Sequence, residues 1–239
     1  MTLILLHSSG ATPALWDRVL EHLHGIPTLA LALPGRDGCA WPDAERERGV
    51  GAYARTVVAA MDREGIERAT VAGHSLGGAV ALWMALEHTE RVTGLGLSCT
   101  GARLRVWPQV LEGFADGVRD TIDVFANAQC GPKAGDRERI VLRRMLEAVG
   151  MEQTLTDLQA CDLFDVMDRL AEIRVRTQVF AGGRDVCAPV KYAQYLAERI
   201  SGARLTIFED AGHTVPLEHP QEVAGDLAVL WAATTAVDV

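Results

Sequence analysis

The sequence predicts an α/β protein with a doubly wound, mainly parallel sheet, and three observations support this prediction. Short apolar runs alternate with segments of helical periodicity, as expected for strands joined by helical crossovers. A Gly-x-Ser-x-Gly motif, residues 73–77, stands between one such run and a helical segment. Asp185 and His213 follow two later apolar runs. We therefore expect about six strands, with helices on both faces of the sheet.

The first part of the chain predicts four of these strands. They cover residues 3–6, 28–33, 69–72 and 92–98. Thr12 followed by Pro13 is typical of a helix start, because a hydroxyl caps the helix and proline suits its first position. The intervening helices are expected to end near Gly25 and Gly65. Residues 36–48 are polar and charged, which predicts an exposed loop.

The alternation of strands and helices stops between residues 104 and 168. Residues 106–128, 137–149 and 151–160 are helical in pattern, with no strand between them. We predict a helical cap over residues 104–170, with the α/β core formed by residues 1–103 and 171–239. The alternative is that these helices only extend the packing. The large apolar side chains of this region are expected in the cap core or in a pocket: Trp107, Phe114, Phe125, Met145 and Phe164.

The sheet is predicted to resume after the cap. Residues 175–181 and 205–208 are the predicted strands, a helix over 190–200 lies between them, and a last helix covers 221–232. In a parallel sheet of this kind, the site lies beyond the carboxyl ends of the strands.

Composition excludes several classes of protein. With 239 residues, 49% of them hydrophobic, the chain can bury the core of one domain. The net charge of −9 and the scattered basic residues argue against a nucleic-acid partner. No apolar run reaches the length of a membrane span and the start lacks a basic signal, so we expect a cytoplasmic protein without a membrane partner. Five widely spaced cysteines without a Cys-x-x-Cys pair indicate reduced thiols and no metal site.

Ser75 is the predicted nucleophile. A serine on a sharp strand-to-helix turn is held with its hydroxyl exposed, and Gly73 and Gly77 allow the close approach that such a turn needs. The N–H groups at the start of the following helix favour negative charge beside the serine. A glycine-rich turn with an incidental serine is the alternative interpretation.

A serine hydroxyl is a poor nucleophile at neutral pH and needs a base, which in turn needs a carboxylate to orient it. His213 is the predicted base and Asp185 the predicted acid, because both follow late strands and would reach the edge of Ser75. The sequence leaves open His88 or His219 as the base and Glu209 or Asp210 as the acid. The negative charge on a substrate oxygen needs two fixed donors, which we expect to be the backbone N–H groups of Leu76 and Ser9.

These motifs together resemble the α/β-hydrolase family, and the resemblance runs over nearly the whole chain. It rests on Leu6-His7, Leu33-Pro34-Gly35, residues 73–78, residues 181–185 and Ala211-Gly212-His213. The resemblance implies hydrolysis of esters, lactones, thioesters or carbon–carbon bonds without a cofactor. A serine at position 75 argues against the haloalkane dehalogenase and epoxide hydrolase branches, which need a carboxylate there.

The chain departs from the family pattern in three places. The usual His-Gly after the first strand is His7-Ser8, and the usual Gly-His-Gly after the second strand is replaced by Arg36-Asp37-Gly38. The hairpin that most members carry before the first parallel strand is absent, which leaves residues 28–33 as a sheet edge that a second copy could pair with, in a homodimer. Residues 8–10 and 196–204 are similar to those of 3-oxoadipate enol-lactonases.

We therefore expect a serine hydrolase that acts on a small ester or lactone. The residues expected to line its substrate pocket are His7, Ser8, His74, Trp107, Phe125 and Val186. Cys187 stands two residues after the predicted acid, where it could line the site or fill the core. The alternatives are a thioester or carbon–carbon bond hydrolase, a cofactor-free perhydrolase, and a ligand sensor with little turnover.

Overall fold

The computed structural model describes residues 1–36, 38–41 and 49–236, and six strands in these ranges form one sheet. The strands are β1 (Thr2–Leu6), β2 (Thr28–Leu31), β3 (Ala69–His74), β4 (Val92–Ser98), β5 (Arg176–Gly182) and β6 (Arg204–Phe208). Their order is β2-β1-β3-β4-β5-β6, and every neighbouring pair is parallel. The predicted doubly wound parallel sheet is confirmed.

Helices follow the strands in the order that the sequence predicts. They are α1 (Asp17–Leu20), α2 (Val50–Arg63), α3 (Leu76–Glu87), α4 (Pro108–Ala115), α5 (Asp120–Gln129), α6 (Asp136–Val149), α7 (Met151–Leu163), α8 (Val190–Arg199), α9 (Val215–Glu218) and α10 (Pro220–Thr235). Short 3-10 turns cover Pro13–Trp16, Thr89–Arg91 and Met167–Glu172. None of the helices in the described ranges is long and apolar enough to cross a bilayer.

The sheet has a buried layer on each face. Successive residues of β1 point to opposite faces, so that Ile4 and Leu6 pack in one apolar cluster with α2, α3 and α8. Leu3 and Leu5 pack in the other cluster, with α1 and α10. Burial on both faces explains why the strands read as continuous apolar runs in the sequence.

The order in which strands are added to the sheet reverses at β1. β2 lies on one side of β1 and β3 on the other, so the loops that leave the carboxyl ends of β1 and β3 diverge. A crevice opens at such a point. The residues that border it are therefore Ser8 and Ser9, after β1, and Ser75, after β3.

The chain leaves the sheet after β4 and returns before β5 through a narrow neck. Arg103 and Asp165 form an antiparallel bridge, Leu104 N–H donates to the Phe164 carbonyl, and Val166 N–H donates to the carbonyl of residue 102. In the sequence, helices α4 to α7 lie between the two paired segments that form this neck. α7 contacts α4, α6 and the core helix α3.

Four details of the secondary structure differ from the sequence-based expectation. The helix expected from Thr12-Pro13 to near Gly25 is a 3-10 turn followed by α1, which ends at Leu20, and the Thr12 hydroxyl forms no capping hydrogen bond. The helix predicted over 106–128 is two helices, since Gly117 adopts φ +70° between α4 and α5 and ends the first of them. β2 ends at Leu31 rather than at residue 33, and the short helix α9 was not predicted. The edge position of β2 is confirmed, whereas its pairing with a second copy stays a prediction.

The prediction of an exposed loop over residues 36–48 is wrong at its first residue. The Arg36 side chain is 2% exposed, because its guanidinium forms an ion pair with the fully buried Asp157 of α7. A charged side chain in a polar stretch is normally solvated, and only a partner elsewhere in the chain reverses this. Asp37 and residues 42–48 lie outside the described residues.

Candidate active site

Ser75 occupies the turn between β3 and α3 in a strained conformation. Its backbone has φ 54° and ψ −113°, a region that residues with a side chain rarely adopt. Its N–H donates to the Ser98 carbonyl at 2.9 Å, and the Thr100 hydroxyl donates to its carbonyl at 2.9 Å. These bonds from the end of β4 hold the turn in place, and strain of this kind is common at functional sites.

Two glycines make the turn possible. A Cβ on Gly73 would lie 2.0 Å from the Gly77 carbonyl oxygen, and one on Gly77 would lie 2.4 Å from the Leu6 carbonyl oxygen. The start of α3 therefore packs directly on β3 and on the end of β1. This close packing brings the first turn of α3 to the loop that follows β1.

His213 and Asp185 form a hydrogen-bonded pair at the same edge of the sheet. His213 Nδ1 lies 2.8 Å from Asp185 Oδ2, and because a carboxylate only accepts, Nδ1–H is the donor; in a neutral imidazole Nε2 then carries the lone pair. Asp185 Oδ1 accepts the N–H groups of Cys187 and Ala188, each at 2.8 Å. The carboxylate is thus fixed by three donors and orients the imidazole.

Ser75 and His213 line one cavity, which has about 580 Å³ of empty space with its open mouth included. The loop after β1 adds Ser8 and Ser9. The segment after β4 adds Leu104, Arg105, Val106 and Trp107; helices α4, α5 and α7 add Val110, Phe125, Gln129, Leu158 and Cys161; and the loop after β5 adds Cys187 and Ala188. The walls away from Ser75 and His213 are thus mostly apolar.

No hydrogen bond joins Ser75 Oγ to His213 among the bonds of the described residues. Such contacts are often long in the absence of substrate and shorten when it binds. The N–H groups of Ser9 and Leu76 also have no protein acceptor within the described ranges; Ser9 lines the cavity, whereas Leu76 is not among its lining residues, and their role as oxyanion donors stays a prediction.

Three residues predicted to line the pocket, Ser8, Trp107 and Phe125, are part of the cavity wall. His7, His74 and Val186 are not. Val186 is 49% exposed on the surface, because Asp185 turns the chain so that the next two N–H groups face its carboxylate, and Cys187 rather than Val186 reaches the cavity.

His7 is fully buried behind the cavity, between β1 and the chain after β2. Its Nδ1–H donates to the Ser8 carbonyl at 3.0 Å, and its Nε2 accepts the Leu33 N–H at 3.0 Å. Burial, aided by the positive charge of Arg36, lowers the pKa of His7 to about 3. A ring that uses one nitrogen as acceptor must be neutral. His7 is therefore uncharged, and its two hydrogen bonds join the loop after β1 to the segment after β2.

The His74 ring packs against the His213 ring, with the two ring centroids 5.0 Å apart. Burial, followed by the repulsion of His213, lowers the pKa of His74 well below its usual value. Its Nδ1 contacts the Ser98 hydroxyl at 3.3 Å, and its Nε2 is buried without a hydrogen-bond partner. A neutral ring is therefore packed against the His213 imidazole.

The alternative base and acid are engaged elsewhere. His219 stacks on Phe208 and its Nε2 lies 3.2 Å from Asp210. Asp210 also pairs with Lys133 at 3.0 Å, and this hydrogen bond lowers the pKa of the Asp210 carboxyl. His88 ends α3, at the opposite end of the helix from Ser75.

Sequence reasoning missed Cys99, which follows β4 with φ 46°. Its Sγ and the ligand atoms of Asp185 and His213 all lie within 4.8 Å of one another. Burial, and then the charge of Asp185, raises the pKa of the Cys99 thiol well above its usual value, so a protonated thiol packs beside the pair. A metal ion would need the thiolate, which this environment disfavours. Its position at a strand end was the only available signal.

Sequence reasoning also missed contacts that join His213 to the helical insertion. His213 N–H donates to the carbonyl of Gln129, the last residue of α5, at 2.7 Å. Glu218 accepts the Gly212 N–H at 3.0 Å with Oε1 and the Gly131 N–H at 3.2 Å with Oε2. The loop that carries the histidine is thus bonded to the end of α5 and to the turn that follows it.

The sheet order and the strand-turn-helix around Ser75 are those of an α/β hydrolase. A family model described as "Alpha/beta hydrolase family" matches residues 3–227. The chain belongs to this family and is an enzyme of the hydrolase class.

Individual proteins extend the comparison. The chain is 30% identical over 257 residues, 93% of this chain and 94% of the other, to a pimeloyl-[acyl-carrier protein] methyl ester esterase of Aromatoleum aromaticum. It is 28% identical over 240 residues, 92% and 83% of the two chains, to a 2-hydroxy-6-oxo-6-phenylhexa-2,4-dienoate hydrolase of Comamonas testosteroni. The enol-lactonase from Burkholderia xenovorans LB400 superposes with a TM-score of 0.86 over 96% of this chain and 90% of the other; at 22% identity this shows a common fold.

Proposed function

We propose that this enzyme is a serine hydrolase that cleaves a small carboxylic ester or lactone through an acyl-enzyme, with Ser75, His213 and Asp185 as its triad. The single observation that carries the proposal is the hydrogen bond between His213 Nδ1 and Asp185 Oδ2, beside a cavity that Ser75 also lines. This bond occupies Nδ1, so Nε2 is the imidazole nitrogen of His213 that remains available to act as a base toward Ser75.

The reaction follows in two halves. In the first, His213 Nε2 takes the Ser75 hydroxyl proton while Oγ bonds to the substrate carbonyl carbon, and the N–H groups of Ser9 and Leu76 hold the resulting oxyanion. The tetrahedral intermediate then expels the alcohol, which receives the proton from His213. In the second half, a water gives a proton to His213 Nε2 while its oxygen bonds to the acyl carbon; the bond between this carbon and Ser75 Oγ then breaks, the acid leaves, and Oγ takes the proton back from His213.

We also propose that residues 104–170 act as the cap that shapes the substrate pocket. Val110, Phe125 and Leu158 supply apolar walls from three different helices of this insertion. A mostly apolar cavity of limited volume fits a short acyl chain. An ester of a short alcohol is favoured by the likeness to the methyl ester esterase from Aromatoleum aromaticum.

Carbon–carbon bond hydrolysis is the second candidate, because of the likeness to the Comamonas testosteroni hydrolase. It would use the same three side chains. The two candidates differ in the bond that they break, so product analysis with a methyl ester and with the dienoate named in that hydrolase separates them.

The first experiment measures the burst and the steady-state release of nitrophenol from acetyl, butyryl and hexanoyl esters. We expect turnover by the unmodified enzyme and a loss of at least about 1,000-fold in kcat for Ser75→Ala. Ser201→Ala, a change in an exposed turn, is the matched control and should keep full activity.

Each departure from that result has a distinct meaning. Activity that survives in Ser75→Ala would refute Ser75 as the nucleophile. One equivalent of nitrophenol followed by no turnover would indicate a ligand sensor. Bromination that requires peroxide and acetate would indicate a perhydrolase.

A further inference from the structure

The loop that follows β1 is held by a helix of the insertion rather than by the core alone. Gly10 N–H donates to Asp157 Oδ2 of α7 at 2.9 Å. One turn further along α7, the Cys161 sulfur lies 3.4 Å from the Ser9 hydroxyl. α7 therefore contacts two consecutive residues of this loop.

Asp157 is the centre of a buried polar cluster. Its side chain is fully buried, and both of its oxygens are saturated with donors. Oδ2 accepts the Gly10 N–H and the Arg36 guanidinium. Oδ1 accepts the Tyr53 hydroxyl at 2.5 Å and the Gln153 amide at 2.9 Å. The carboxylate thus joins the loop after β1, the turn after β2, helix α2 and helix α7.

A cluster of this kind adds little to stability. Removing an ion pair from water costs about as much as the pair regains, and apolar side chains of similar size often serve as well or better. Burial raises the pKa of the Asp157 carboxyl, and the Arg36 charge acts in the opposite direction. What such a pair provides is a fixed geometry, here that of the peptide group between Ser9 and Gly10.

That peptide group adjoins the N–H of Ser9. The Ala11 N–H donates to the Ser8 carbonyl at 3.3 Å, and Gly10 N–H is fixed by Asp157, so the peptide groups on both sides of Ser9 are held. Within the described ranges the Ser9 N–H has no protein acceptor, and Ser9 is one of the residues that line the cavity. Gly10 itself has φ +63°, and a Cβ there would lie 2.4 Å from Leu146, so the insertion packs tightly on it.

We propose that Asp157, held by Arg36 and Tyr53, is a positioning residue that orients the Ser9 N–H toward the substrate oxyanion. This inference rests on the proposed function. It explains how a loop with serine in place of the usual glycine after His7 keeps a defined donor geometry. It also makes the oxyanion site dependent on α7, so that the cap and the catalytic loop form one unit.

The main test replaces the buried pair by apolar side chains in the double variant Arg36→Met/Asp157→Leu, which leaves no unpaired buried charge. We expect kcat for a nitrophenyl ester to fall about 100-fold, as for a misplacement of about 1 Å, with KM changed less than about threefold. The matched control is Arg169→Met/Glu87→Leu, which removes a half-exposed ion pair and should leave kcat unchanged.

A boronic acid that forms a tetrahedral adduct with serine provides the decisive readout. Its affinity depends on the oxyanion donors, so it should weaken in parallel with kcat, whereas the affinity of an uncharged short-chain alcohol, which forms no adduct with the serine, should not change. Tyr53→Phe removes one donor from Asp157 and keeps the aromatic contact with Trp41. It should lower kcat and boronate affinity together, by a smaller factor, and it tests the inference even if the double variant does not fold.

Two failures are distinguishable. If the unmodified enzyme shows no turnover that depends on Ser75, the proposed function is refuted, and so is this inference, which rests on it. If the unmodified enzyme is active and both variants keep its kcat and boronate affinity, or change KM alone, the proposed function stands and the positioning role of Asp157 is overturned.

Discussion

At the scale of single residues, the site depends on how each ionisable group is partnered. Asp185 receives three hydrogen bonds, from His213 and from two backbone N–H groups. Asp210, the alternative acid, faces Lys133 and His219. The partners therefore separate a carboxylate that orients the His213 imidazole from one that belongs to a surface network.

This difference predicts the behaviour of two matched substitutions. Asp185→Asn should lower kcat by about 10⁴-fold, because an amide, unlike a carboxylate, does not hold the His213 imidazole in the correct tautomer. Asp210→Asn should change kcat less than about twofold. Steady-state hydrolysis of a nitrophenyl ester measures both, and equal losses in the two variants would contradict the assignment of Asp185.

At the scale of elements, α5 contributes both to the cavity wall and to the position of His213, the proposed base. Phe125 lines the cavity, and its ring packs edge-on against the buried Phe114 at 5.7 Å. Four residues later, the Gln129 carbonyl receives the His213 N–H. A change at Phe125 should therefore alter the room for the substrate without removing the support of the histidine.

Phe125→Ala should shift the preferred acyl chain to a longer one. We expect the ratio of kcat/KM for hexanoyl over acetyl esters to rise about tenfold, in line with the worth of one or two methylene groups in an apolar pocket. Val124→Ala, at a 61% exposed position of the same helix, is the control. An unchanged ratio in Phe125→Ala would mean that the acyl chain binds elsewhere in the cavity.

At the scale of the whole molecule, two buried histidines affect the stability at acidic pH. The pKa of His7 is lowered to about 3 and that of His74 also lies well below its usual value. Between about pH 6.5 and pH 3, the unfolded chain binds a proton at position 7 that the folded chain does not. The free energy of unfolding should therefore fall as the pH falls through this window.

Where unfolded His7 is fully protonated and folded His7 is not, this residue lowers the free energy of unfolding by about 1.4 kcal/mol for each unit by which the pH falls. Between pH 7 and pH 5 the free energy of unfolding measured with urea should therefore fall by about 2 kcal/mol less in His7→Asn than in the unmodified protein, even if that variant is less stable at pH 7. His24→Asn, at an exposed position, should keep the slope of the unmodified protein. A slope that persists in His7→Asn would show that other groups cause the acid sensitivity.

The sequence alone predicted the parallel sheet, the turn at Ser75 and the helical insertion. The physical reason is that these features are local. Strand and helix periods, a proline at the first helical position after Thr12 and the glycines at 73 and 77 act over a few neighbouring residues. The choice of Asp185 and His213 also followed from local position, since both come directly after a strand.

Only the tertiary structure decided which distant side chains support the site. Arg36 pairs with a residue 121 positions away, and Gln129 bonds to His213 across 84 positions. No periodicity or turn signal encodes such contacts, because they arise where the insertion folds back over the strand ends. Arg36 is buried at this contact, whereas the sequence predicted it to be exposed. The loop beside Ser75 is bonded there to Asp157 of the insertion rather than to a residue of the core.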